Sequence, residues 1–394
     1  MTRQALPLLK VRHKTLVPVV QGGMGVGISA HRLAGTVAAE GAVGTVASVD
    51  LRRRHPDLMA ETGRCRDQEA IFRANRIALD REIKAAHEIA AGRGMIAVNI
   101  MRAISQYEEM VRQSCESGAE AIVVGAGLPL DLPDLTADYP DVALIPILSD
   151  ARGVALVLKK WMRKNRLPDA IVIEHPLHAG GHLGAAKIEG LGDSRFDFER
   201  VLPEVFVTFR ELGIEQERIP LIPAGGINSH PRVKELFALG AAAVQLGTAF
   251  AVTEEGDADI VFKQVLAGAE KQDMVEFMSC AGLPARAVKT PWLENYLRRE
   301  SKLQAAASGE HKCTLGWDCL QQCGLRDGIA KFGQFCIDNQ LAAAVRGDLT
   351  KGLFFRGAAS LPLGAAIRPV RELIAYLTSG DPLAGETPLL AAHG

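Results

Sequence analysis

His182 stands in the run Ala179-Gly180-Gly181-His182-Leu183-Gly184, directly after the apolar stretch Ala170–Ile173. Such a stretch reads as a buried strand, and glycines at its end let the backbone come close to a flat ligand. The imidazole is therefore presented to a ligand and not packed away. A turn that merely contains a histidine is the competing reading, and further glycine clusters weigh against it. Gln21-Gly22-Gly23-Met24-Gly25-Val26-Gly27, Gly125-Ala126-Gly127, Gly225-Gly226-Ile227-Asn228-Ser229 and Gly247-Thr248 each follow an apolar run of their own, and another run ends at Asn99-Ile100-Met101. The first cluster is no dinucleotide fingerprint, because it lacks the GxGxxG spacing and an acidic residue at the ribose position.

Eight apolar runs carry these groups: Leu16–Val20, Ala42–Val46, Met95–Asn99, Glu120–Val124, Ala143–Ile147, Ala170–Glu174, Ile219–Ala224 and Ala242–Leu246. Amphipathic stretches separate most of them and read as helices over His31–Glu40, Ala78–Ala91, Ser105–Ser117, Asp150–Lys164, Phe196–Leu212, His230–Leu239 and Asp257–Leu266. Ser29 and Ser229 are the expected caps of two of them. The connection from Gly125 to Val142, with Pro129, Pro133 and Pro140, is poor in helix. This alternation predicts an α/β fold, a (β/α)8 TIM barrel with a mostly helical insertion or lid near the C-terminus. A doubly wound open sheet is the structural alternative. The expected units are a barrel over 1–255, a cysteine-bearing insertion over 256–347, a returning helix within 348–380 and a tail over 381–394.

Parallel barrels bind ligands at the carboxyl ends of their strands, where every one of these clusters falls. The loops after the last two strands form a recurrent phosphate cradle from backbone N–H groups. Gly225, Gly226, Gly247 and Thr248 occupy those positions, which predicts a phosphate-bearing cofactor there.

Composition narrows the partners. Lys plus Arg total 45 against 46 Asp plus Glu, a formal charge of −1, which provides no field for nucleic acid or an anionic membrane. The basic runs Leu51-Arg52-Arg53-Arg54 and Lys159-Lys160-Trp161-Met162-Arg163-Lys164 read as solvated helix faces. No apolar stretch reaches the length of a membrane span, and the first residues carry charge without an apolar core, so a soluble, cytoplasmic protein with a small-molecule substrate is expected. The sequence selects no assembly state; a homodimer is carried as the expectation.

Seven cysteines suggest thiols or metal ligands before disulfides. Cys313, Cys319, Cys323 and Cys336 form a C-x5-C-x3-C-x12-C pattern that matches no standard zinc or ferredoxin signature. Cys319 and Cys323 would share a helix face. A zinc ion or [4Fe–4S] cluster is one reading, and small thiols filling a lid core is the other. Cys280 could edge a pocket, with packing the stronger alternative. Arg286 and Lys289 could meet a substrate anion or, as the favoured reading, be surface cations.

Taken together, PVVQGGMGVG (18–27), AVNIM (97–101), VVGAGLP (123–129), AGGHLG (179–184), PAGGI (223–227) and VQLGTAFAVTEE (244–255) resemble the FMN-dependent nitronate monooxygenases, formerly called 2-nitropropane dioxygenases. The related flavin-type enoyl-acyl carrier protein reductases share the motifs. The resemblance implies an FMN phosphate near Gly225, Gly226, Gly247 and Thr248, and a flavin ring lined by Gln21, Gly22, Gly23, Met24 and Asn99. Gly125, Gly181, Ala224 and Gln245 are the further cofactor positions it implies, and His182 matches the family's active-site histidine. It implies oxidation of a nitronate or nitroalkane with dioxygen; the alternative is an NAD(P)H-dependent FMN reductase acting on an enoyl thioester or a quinone. The chain departs from the pattern at His178, where the family usually carries glutamate, with His175 and Glu174 close by.

Overall fold

The computed structural model describes residues 6–308, 313, 315 and 317–380. The tail expected over 381–394 lies outside them. Eight parallel strands close into a barrel: Val19–Gln21, Val43–Ala47, Met95–Met101, Ala121–Gly125, Ala143–Leu148, Ile171–Glu174, Leu221–Ala224 and Val244–Leu246. Neighbours follow chain order, and closure comes from pairing Val244 with Val19 and Leu246 with Gln21. Closure removes the sheet edges and rules out the open-sheet alternative.

The two-residue period of a strand decides what faces the barrel axis. Met95 and Ala97, Ala121 and Val123, Ala143 and Ile145 fill the interior, while Ile96, Val98, Ile122 and Leu144 pack outward against the helices. A hairpin of Leu9–Val11 and Lys14–Leu16 closes the amino end, where Leu9, Val11 and Leu16 join the interior cluster. Continuing each inward row by one step at the other end gives Asn99, Gly125, Ile147, Glu174, Ala224 and Gln245. Those six residues all line the cavity there.

The outer helices are His31–Ala39, Gln68–Ala90, Tyr107–Glu116, Ala151–Met162, Phe198–Glu211 and His230–Ala238, with only Leu132–Leu135 in the proline-rich connection. Val370–Ser379 packs against His230–Ala238 and His31–Ala39 and fills the remaining place in the ring. Ser229 caps its helix through the Arg232 N–H. Ser29 does not cap; it accepts from the Met24 N–H at 2.9 Å, while Asp257 accepts from the N–H groups of Ala30 (2.9 Å) and Leu33 (3.0 Å).

The segment after the eighth strand contains helices Ile260–Gly268, Pro291–Ala305, Gly324–Asp327 and Ile337–Val345. It also contains a β-ribbon, Met274–Met278 with Pro284–Val288, which the expectation of a mostly helical insertion did not include. The Arg52–Arg54 run is likewise no solvated face. Arg52 is buried against Asp50 and Thr62, and Arg53 bridges Asp50 to Asp338 and Asn339 in the later segment. Lys159 and Lys160 are exposed as expected, with Trp161 buried between them and the core.

Candidate functional site

A cavity of about 310 Å³ opens over the carboxyl ends of the strands. It gathers Gly22, Gly23, Met24, Asn99, Gly125, Gly181, His182, Ala224, Gly225, Gly226, Gln245, Gly247 and Thr248. Gln21 is the exception among the expected cofactor positions. Its carboxamide is buried, accepts from the Thr45 N–H at 2.8 Å and donates to the Gly22 carbonyl, so it holds the first loop from beneath.

Close approach explains the first glycine pair. A Cβ on Gly23 would lie 2.2 Å from the Asn99 Cβ, so only glycine lets this loop cross the third strand. After the seventh strand the constraint is conformational: Gly225 and Gly226 have φ of +95° and +76°, which L side chains rarely adopt. Among the described residues, the amides of Gly226, Gly247 and Thr248 donate to no protein group, while the parallel pairing of Ala224 with Gln245 turns the Gly225 N–H toward the Gln245 carbonyl. These residues are half-buried, and a cluster of unbonded N–H groups facing a cavity is placed to take an acceptor from outside the chain.

His182 is set by the β-ribbon. Gly181–His182 pairs antiparallel with Arg286 and Ala285, and Leu183 N–H donates to the Pro284 carbonyl at 2.8 Å. The same ribbon's turn brings Ser279 Oγ to 3.0 Å from His182 Nε2. Ser279 Oγ also accepts from the Ala281 N–H at 3.2 Å, which fixes the hydroxyl. The Phe355 ring lies 5.8 Å from the imidazole. Burial without a countercharge pulls the His182 pKa down to about 4, so the ring is neutral near pH 7. Burial also pushes Glu174, at the end of the sixth strand, up to about 7.

His178 lines the cavity beside the glycine pair, and burial holds it at about 4. His175 stays behind it: its Nδ1 accepts from Leu177 N–H at 3.2 Å, which leaves Nε2–H to donate to Asp197 at 3.3 Å. Arg286 neither lines the cavity nor reaches the surface; it is buried against Glu276 (2.8 Å) and the Ala179 carbonyl (2.5 Å). Lys289 is exposed.

The four thiols expected as metal ligands, Cys313, Cys319, Cys323 and Cys336, lie close enough for their charges to bear on one another. Among the described residues no group of three or more His, Cys, Asp or Glu side chains is placed to hold a metal ion. Cys319 lines the cavity, Cys336 is half-buried at the start of its helix with its pKa pushed up to about 12 by desolvation, and Cys313 is half-buried. No helix joins Cys319 to Cys323, since the helix starts at Gly324. Cys323 instead accepts a hydrogen bond from the buried Cys280 thiol, which lowers the pKa of Cys323 and raises that of Cys280.

Ser279, Asp338 and Phe355 escaped the sequence reading. Ser279 had a usable signal, because Ser279-Cys280-Ala281-Gly282 separates two short runs in the manner of a hairpin turn. Asp338 and Phe355 reach the cavity only through the path of the later segment.

A closed parallel barrel with a ligand cavity at its carboxyl face, open amides on the last two loops and a neutral imidazole beside them defines the class: a barrel enzyme that takes a phosphate-bearing ligand. The nitronate monooxygenase family model matches residues 7–380, and the chain belongs to that family of flavin-dependent oxidoreductases. It is 26% identical over 284 residues to the Bacillus subtilis (strain 168) protein named "Probable nitronate monooxygenase", covering 70% of this chain and 78% of that one. The solved structure of FabK from Thermotoga maritima superposes with a TM-score of 0.62 at 22% identity, covering 94% of this chain and 93% of its own. Nitroalkane oxidase from Streptomyces ansochromogenes gives 0.61 at 18% identity, covering 92% and 94%. No helix among the described residues is long and apolar enough to cross a membrane.

Proposed function

We propose that this chain oxidises nitronates, and the nitroalkanes that yield them, with dioxygen and FMN. The observation that carries the reading is the neutral His182 on the wall of the same cavity as the open amides of Gly226, Gly247 and Thr248. These residues fit the cofactor: the unbonded N–H groups of Gly226, Gly247 and Thr248 suit a phosphate, and the side-chain-free Gly22–Gly23 stretch beside Asn99 suits a flat ring. Met24, Gly125, Gly181, Ala224 and Gln245 complete the wall. When bound, FMN supplies an electron acceptor that dioxygen reoxidises.

The protein's own share is proton handling in a dry pocket. In the tautomer in which His182 Nε2–H donates to Ser279, Nδ1 keeps its lone pair and can take the acidic proton from the carbon bearing the nitro group. Ser279 holds the ring in that tautomer. The apolar wall excludes water and strengthens each polar contact inside.

Anaerobic mixing of the FMN-loaded protein with propyl nitronate or with NADPH tests the reading. Bleaching of the flavin by the nitronate is expected. Bleaching by NADPH alone would make the chain a pyridine-nucleotide-dependent reductase and overturn the proposal.

A further inference from the structure

Among the described residues, no lysine or arginine lines the cavity. Its ionisable wall groups among the described residues are Glu174, His178, His182, Cys319 and Asp338, and with burial holding both imidazoles neutral the formal charges these carry at neutral pH are negative. The guanidinium groups nearby are committed elsewhere. Arg286 pairs with Glu276 beneath the wall, Arg53 with Asp50 and Asp338, and Arg356 with the carbonyls of Leu266, Gly357 and Ala359.

The wall that the later segment adds is mostly apolar, with Leu320, Ile337, Leu341 and Phe355 around Cys319 and Asp338. It is stitched to the third barrel loop by an Ile104–Leu320 bridge and by the Gln321 N–H donating to the Ala103 carbonyl at 2.9 Å. Polar groups for the nitro end, Asn99 and His182, come from the barrel strand ends and the ribbon-paired loop. A substrate's other end meets hydrocarbon, and among the described wall residues the charged ones are acids, Asp338 being already paired with Arg53. A carboxylate placed there loses its hydration without gaining a partner.

Resting on the function proposed above, we infer that this enzyme selects nitro compounds whose remaining substituent is uncharged and apolar, and discriminates against those carrying a carboxylate. Selectivity of this kind is built from the missing counter-charge as much as from the attractive wall. Propyl nitronate and propionate 3-nitronate are a matched pair, sharing a three-carbon chain and differing in the terminal carboxylate.

The test uses the FMN-loaded protein under air, with kcat/KM measured for ethyl, propyl and butyl nitronate and for propionate 3-nitronate. The expected result is a rise along the alkyl series and a value for propionate 3-nitronate roughly 100-fold below that for propyl nitronate. Equal or higher efficiency with the carboxylated substrate overturns the inference. Leu341→Lys places a cation on the wall, and the ratio should then move by about tenfold toward propionate 3-nitronate; an unchanged ratio in the folded, FMN-loaded variant also counts against it. Failure of every nitronate to bleach the flavin anaerobically would instead overturn the function itself, so the two failures are distinguishable.

Discussion

Gly226→Ala tests the phosphate cradle through a single methyl group. The new Cβ would lie 2.9 Å from Cδ2 and 3.0 Å from Cγ of His178, at a backbone φ of +76°. Holding alanine in that conformation costs about 1–2 kcal/mol, and carbon contacts prefer about 3.5–4.0 Å, so His178 must swing away as well. Rotating the peptide relieves both strains and turns an amide out of the cradle. Losing one hydrogen bond to a charged phosphate costs about 1.5–3 kcal/mol, which is on the order of a 10- to 100-fold rise in the FMN Kd. Quenching of flavin fluorescence on titration into the apoprotein measures it. Riboflavin, which lacks the phosphate, should bind wild type and variant alike. Gly268→Ala is the control, because nothing lies within 4 Å of its added Cβ. An unchanged FMN Kd in Gly226→Ala, or an equal loss for riboflavin, would refute the cradle.

Ser279→Ala removes the hydroxyl that orients His182 and should lower kcat for a neutral nitroalkane about fivefold, worth about 1 kcal/mol, with full FMN content; loss of FMN with no change in kcat per bound flavin would contradict it. Because the base acts when deprotonated and burial lowers its pKa to about 4, the acid limb of kcat/KM for a neutral nitroalkane should fall near pH 4 and not near the ordinary 6.5. An inflection near 7 belongs to Glu174, whose pKa is raised, and should vanish in Glu174→Gln; its persistence there would assign the limb elsewhere. Arg53→Ala leaves the buried Asp338 without its cation, a loss of about 3–5 kcal/mol. A lower Tm and faster amide exchange in Ile337–Val345 should follow, and unchanged values of both would show that the bridge does not hold the later segment down.

Every barrel strand was legible because burial on both faces writes a strand as a short apolar run, and the inward period then carries Asn99, Glu174 and Gln245 to the cavity mouth. His182 and the glycine pairs were legible for the same reason: a strand's end tells where its loop lies. What could not be read depended on distant residues coming together. Asp257 caps a helix that begins more than 200 positions earlier, and Arg52 and Arg53 look like surface charge until Asp50 and Asp338 are folded beside them. Cys319 and Cys323 suggested ligands by spacing alone, yet one faces the cavity and the other meets Cys280. Ser279 acts on His182 across 97 positions, through a ribbon too short and too polar at Glu276 to declare itself.

In the proposed function His182 takes a proton from the substrate carbon, and His182→Asn isolates that step when a neutral nitroalkane and its preformed nitronate are compared anaerobically. With FMN still bound, flavin reduction by the neutral nitroalkane should slow by about 100-fold or more, the ordinary worth of a general base. The preformed nitronate, which has no such proton to lose, should reduce the flavin at close to the wild-type rate. Equal slowing with both substrates, or wild-type rates with both, would exclude His182 as the base.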